Sequence, residues 1–197
     1  GVDYKALVDP IPITPIPNYA YKNLGDLRFE NVADQWGLGK AIHSNGAAYG
    51  DLDNDGTLDL VVNNVNATAQ IFKNKGKTLQ PEHHSIQLQL VGKGKNTGAI
   101  GTQIQVKAGD QVFYTEQMPN RGFQSSVDPK ITIGLGKVTL IDEIKVLWPD
   151  GSFTQLTKVP VDQLLQLRWE EAGALPEGIS FFPAPSPAQF VKASNPG

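Results

Sequence analysis

The residues best placed to do chemistry in this chain lie in one short run, Asp51-Leu52-Asp53-Asn54-Asp55-Gly56-Thr57-Leu58-Asp59. Aspartates occupy positions 1, 3, 5 and 9 of that run, glycine stands at 6 and Thr57 at 7. Alternate side chains and the Thr57 carbonyl converge on one point if the backbone curls, and Gly56 permits the curl because it has no Cβ. Unit charges about 4 Å apart repel by roughly 4 kcal/mol at an effective dielectric of 20, so the curled loop requires a cation among them. Oxygen donors of variable number suit Ca2+, whereas Mg2+ keeps its waters and is seldom held in an all-protein cage. The predicted ligands are Asp51, Asp53, Asp55, Thr57 through its carbonyl, and Asp59. An EF-hand would carry glutamate at position 12, where this chain has Val62. Both flanks, 47–49 and 58–62, are strand-like, so the loop is expected inside a β-hairpin and not between two helices. The alternative is a solvated acidic turn, but aspartates in turns rarely alternate this regularly.

Other chemistry has less support. His43, His83 and His84 are the only histidines, and none has metal-ligand spacing to another histidine or a carboxylate. No G-x-S-x-G nucleophile elbow is present. Asp110, Glu116, Asp142 and Glu143 could serve an acid–base reaction only if the fold paired them, and their spacing gives no reason for it. The run Gly92-Lys93-Gly94-Lys95-Asn96-Thr97-Gly98 lacks the lysine–serine or lysine–threonine ending of a phosphate loop and reads as a hairpin loop. Trp148-Pro149-Asp150-Gly151 reads as a turn with Trp148 at the core edge; a ligand-stacking role for Trp148 is the second reading, with Arg121 and Phe123 as further candidates for a ligand surface. Asn66-Ala67-Thr68 has the form of an N-glycosylation acceptor.

The elements that must position these residues are nearly all strands. Short period-two or apolar runs fall at 19–23, 27–31, 47–51, 58–63 and 70–74. A second series falls at 85–91, 101–108, 111–117, 123–127, 131–135, 141–148, 153–156 and 164–169. A single helical turn is expected at 32–36, stopped by Gly37. With 197 residues, 40% of them hydrophobic, the chain can bury a real core. A net charge of -3 without a basic stripe argues against nucleic acid, and no apolar run is long enough to span a bilayer. Without cysteine, disulfides and thiolate sites are excluded.

Two ordered sets of residues carry a family resemblance. The stretch 46–64, Gly-Ala-Ala-Tyr-Gly-Asp-Leu-Asp-Asn-Asp-Gly-Thr-Leu-Asp-Leu-Val-Val-Asn-Asn, resembles the FG-GAP (VCBS) repeat. Downstream, Asn96-Thr97-Gly98-Ala99-Ile100-Gly101, Arg121-Gly122-Phe123-Gln124-Ser125-Ser126, Ile133-Gly134-Leu135-Gly136 and Val146-Leu147-Trp148-Pro149-Asp150-Gly151 are similar, in order, to the ASPIC/UnbV domain, which follows FG-GAP repeats in cartilage acidic protein and bacterial surface proteins.

The strand periodicity indicates an all-β chain, and the prolines a lead-in at 1–18 and a tail or linker at 172–197; the resemblance makes 19–78 one propeller-blade-like calcium hairpin unit and 79–171 an ASPIC/UnbV-like sandwich or barrel. It also implies calcium at the five loop residues, no catalytic activity, and a secreted or cell-surface setting, periplasmic or outer-membrane-associated if bacterial, with any signal peptide outside these residues. The expected function is a structural or recognition module, integrin-α-like in its repeat, supporting adhesion or ligand presentation to a protein or glycan. The alternative is a carbohydrate-binding module of an exported glycan-handling system. A lone blade cannot close a propeller or bury both of its faces, so it must pack on the second unit or on further repeats.

Overall fold

The structure, a computed structural model, describes residues 3–9, 14–179 and 181. Residues 1–2 and 10–13 of the expected lead-in, and 180 and 182–197 of the expected tail, lie outside the described residues. The chain is almost entirely β. It opens on a one-turn helix, α1 (Tyr4–Val8), where the Asp3 side chain accepts from Lys5 N and Ala6 N. Four short strands follow, β1 (Ile16–Pro17), β2 (Tyr21–Gly25), β3 (Arg28–Asn31) and β4 (Ala41–Ile42), paired as β1 with β4 and β2 with β3. The turn expected at 32–36 is present: Trp36 N donates to Val32 O at 3.0 Å, Leu38 N reaches back to Ala33 O at 2.8 Å, and Gly37 ends it at φ +77°.

The strands that hold the acidic run come next. β5 (Ser44–Gly50), β6 (Asp59–Asn64) and β7 (Gln70–Phe72) form an antiparallel sheet in chain order. Gly50 pairs with Asp59, so residues 51–58 are the hairpin loop between β5 and β6, as the flanking patterns indicated. A short helix, α2 (Gly76–Leu79), leads out of this unit.

The second unit is a sandwich of two open sheets; its strands do not close into a barrel. β8 (His84–Val91) lies between β11 (Ile131–Gly136) and β14 (Leu164–Arg168), antiparallel to the first and parallel to the second. Facing it, β9 (Gln103–Ala108), β10 (Gln111–Glu116), β12 (Leu140–Leu147) and β13 (Phe153–Pro160) form an antiparallel sheet in the order β10-β9-β12-β13. Alternation explains the layering: Ile86, Leu88 and Leu90 of β8 meet Ile104 and Val106 of β9 and Ile144 and Val146 of β12 in one core. The residues between them on β8, Ser85, Gln87 and Gln89, therefore face outward.

Two expectations need correction. No strand forms at 123–127, because Gly122 (φ +73°) and Gln124 (φ +46°) turn the backbone; an isolated bridge between Asn120 and Ser126 is all that remains. Nor is Trp148 available to a ligand. It is 1% exposed, stacked on Trp169 at 5.9 Å, and its indole N–H donates to Thr154 Oγ1 at 2.9 Å. A hydrophobic ring at the end of β12, beside the turn that brings Phe153 back opposite Leu147, is worth more to the core than to a surface.

Candidate metal centre

The loop curls through Asn54 (φ +56°) and Gly56 (φ +88°), and this brings Asp51, Asp53 and Asp55 together. One carboxylate oxygen from each lies within 4.8 Å of the others. Asp51 is the anchor: it is 7% exposed, with Oδ1 accepting from Asp55 N at 3.0 Å and Oδ2 from Gly56 N at 3.0 Å. These bonds bend the loop around the carboxylate that starts it. Asp55 Oδ1 accepts from Thr57 Oγ1 at 2.6 Å and from Thr57 N at 2.9 Å. The hydroxyl contact is the main reason the Asp55 carboxyl titrates below its ordinary value.

Asp59 stands apart from this trio. It is buried, and both its oxygens are given to backbone amides: Oδ2 accepts from Leu52 N at 3.2 Å and Oδ1 from Asn74 N at 2.8 Å. It thus ties Leu52, near the start of the loop, and the segment after β7 to the first residue of β6. Thr57 contacts Asp55 through its amide and hydroxyl.

Residues distant in sequence complete the surroundings. Lys73 pairs with Asp53, and its ammonium is held above its ordinary pKa mainly by that hydrogen bond. Lys77 Nζ donates to Asp55 O at 2.7 Å. From the sandwich, Gln87 Nε2 donates to Asp51 Oδ2 at 2.9 Å and Ser85 Oγ to Gly56 O at 3.2 Å. None of these four was singled out from the sequence, because a lysine, glutamine or serine has no local signature of a distant partner.

The donor set fits a hard divalent cation. It is all oxygen, and its three carboxylates crowd negative charge that two lysine ammonium groups offset only in part. Of the candidate ligand-surface residues, Phe123 is 70% exposed, while Arg121 turns its guanidinium to Asn120 O at 2.9 Å.

Two family models match parts of the chain. The family model described as FG-GAP-like repeat matches residues 14–62, and the model described as ASPIC and UnbV matches residues 92–174. The chain thus carries an FG-GAP-like repeat followed by an ASPIC/UnbV domain, in the order that its motifs indicated. Repeats of the first kind bind calcium, and both domain types are typical of extracellular or surface proteins. No curated protein matches the chain significantly.

Proposed function

We propose that this chain is a non-catalytic, calcium-binding structural module of a secreted or cell-surface protein. Asp51, Asp53 and Asp55 supply the carboxylate ligands, with the Thr57 carbonyl beside them, while Asp59, expected from the sequence as a fifth ligand, instead holds the loop's shape through the amides of Leu52 and Asn74. The observation that carries this reading is the convergence of three aspartate oxygens within 4.8 Å at the tip of a β-hairpin. The ion neutralises the loop, fixes the β5–β6 hairpin, and leaves the module rigid enough to present a surface to a protein or glycan in adhesion. Support for the setting comes from the two matched domain types. The carbohydrate-binding alternative loses Trp148 as its platform, since that ring is buried.

Calorimetric titration with Ca2+ tests the proposal. The unaltered chain is expected to bind one equivalent at about 10⁻⁴–10⁻³ M, the range of extracellular calcium modules. Asp53→Asn should weaken that binding at least tenfold. Equal heats from the chain and the variant would place the ion elsewhere.

A further inference from the structure

We infer that the metal loop is also the joint between the two units, so that cation binding and docking of the hairpin unit on the sandwich reinforce one another. This rests on the reading of residues 51–59 as a calcium site. Its basis is the shared carboxylate: Asp51 Oδ2 accepts at once from Gly56 N of its own loop, at 3.0 Å, and from Gln87 Nε2 of β8, at 2.9 Å. One residue pair away, Ser85 Oγ donates to Gly56 O at 3.2 Å. The loop curvature that gathers the three aspartates is therefore the curvature that meets the outward face of β8.

A second contact lies on the other side of the hairpin. The loop carrying Arg121-Gly122-Phe123-Gln124-Ser125 sits against β5 where that strand has glycine. A Cβ on Gly46 would stand 2.9 Å from Ser125 Oγ and 3.4 Å from Phe123 O; one on Gly50 would stand 3.4 Å from Asp128 Cβ. Asp128 N also donates to Tyr49 O at 3.3 Å. Glycine at 46 and 50 thus lets the sandwich loop approach the backbone of the strand that leads into Asp51.

The physical coupling follows. Without a cation the aspartates repel, the loop opens, and Gln87 and Ser85 lose their partners; with one, the acceptors are held where β8 expects them. Linkage then requires the reverse effect, so that loss of docking weakens cation binding. In this scheme Gln87 is a positioning residue that orients Asp51.

The chain contains no cysteine, so paired spin labels can be placed without background. Labels at Ile71→Cys on β7 and Val112→Cys on β10, both exposed, report the distance between units. The expected result is a narrow distance distribution in millimolar Ca2+ and a broad one in EDTA. In parallel, Gln87→Ala, on the outward face of the sandwich, should weaken Ca2+ binding about tenfold by calorimetry. Ser125→Tyr, remote from the aspartates, should weaken it several-fold with the sandwich intact by circular dichroism. If calorimetry shows Ca2+ bound but the distribution is the same in both conditions and both variants bind as the parent does, the joint is refuted and the calcium site stands. If the parent binds no Ca2+, the site falls and the joint with it.

Discussion

At the scale of single residues, Asp59 and Asp51 separate two jobs that the spacing alone runs together. The alternation of aspartates was legible because it is local, and it named a loop that does gather three of them. It could not show that Asp59 gives both oxygens to the amides of Leu52 and Asn74, because Asn74 follows β7 and is brought there by the pairing of β7 with β6. Asp59→Ala should therefore destabilise the chain by about 1–3 kcal/mol even in EDTA, through the loss of two part-buried hydrogen bonds to a charged acceptor. Urea unfolding in EDTA checks this; an unchanged midpoint would mean that Asp59 acts only through the ion. A glycine makes a similar point. A Cβ at Gly92 would lie 1.8 Å from Asn96 O, a backbone atom that cannot step aside, so Gly92→Ala should cost about 1–3 kcal/mol or more in the same measurement. The sequence marked this run as a hairpin loop without revealing why its first glycine is obligatory.

At the scale of elements, the strand pattern was readable wherever apolar residues alternate, and it failed where contacts are made by backbone or by very short pairs. β1 and β4, two residues each, are too short to show a period. The expected strand at 123–127 is instead a loop seated on β5. Among the longer elements, the start of β8 is clasped to the β13–β14 connection by His84 Nδ1 on Asp162 Oδ2 at 2.5 Å and by Ser85 N on Asp162 Oδ1 at 3.1 Å. Burial pushes the Asp162 carboxyl up, but these hydrogen bonds outweigh it and hold the group below its ordinary 3.8. A depressed carboxylate stabilises the fold above its unfolded pKa, near pH 4, and the contribution is lost as pH falls through the lower folded value. Because Asp162 is about half exposed, the size is about 0.2–1 kcal/mol. Asp162→Asn should accordingly lower stability at pH 6 by that amount and flatten its fall below pH 4; an acid limb identical to the parent's would show that the clasp is not the titrating element.

At the scale of the whole molecule, the two units differ in how they are held. The sandwich buries a continuous core from both sheets, including Trp148 and Trp169. The first unit leaves Tyr19, Tyr21, Leu27, Phe29, Trp36 and Ile71 exposed, as expected of a single repeat whose faces would be covered by neighbours. Few of its apolar residues are buried, Val32, Ala33 and Val62 among them, so its order is expected to lean on the loop and on contacts with the sandwich. Hydrogen exchange should show this directly, with amides of β8, β9 and β12 opening only with global unfolding and those of β5 and β6 exchanging sooner, unless Ca2+ is present. Family motifs in both units made the order of the domains legible, while the contacts that join them depend on which residues face outward from β8.

The most direct test of the central claim is thermal unfolding with and without the ion. At a Ca2+ concentration about ten times the dissociation constant, binding adds about 1.4 kcal/mol, which for a chain of this size raises the melting temperature by about 3–6 °C over EDTA. That rise, abolished by Asp53→Asn, is the predicted result; superimposable melts in Ca2+ and EDTA would contradict a stabilising cation at residues 51–59.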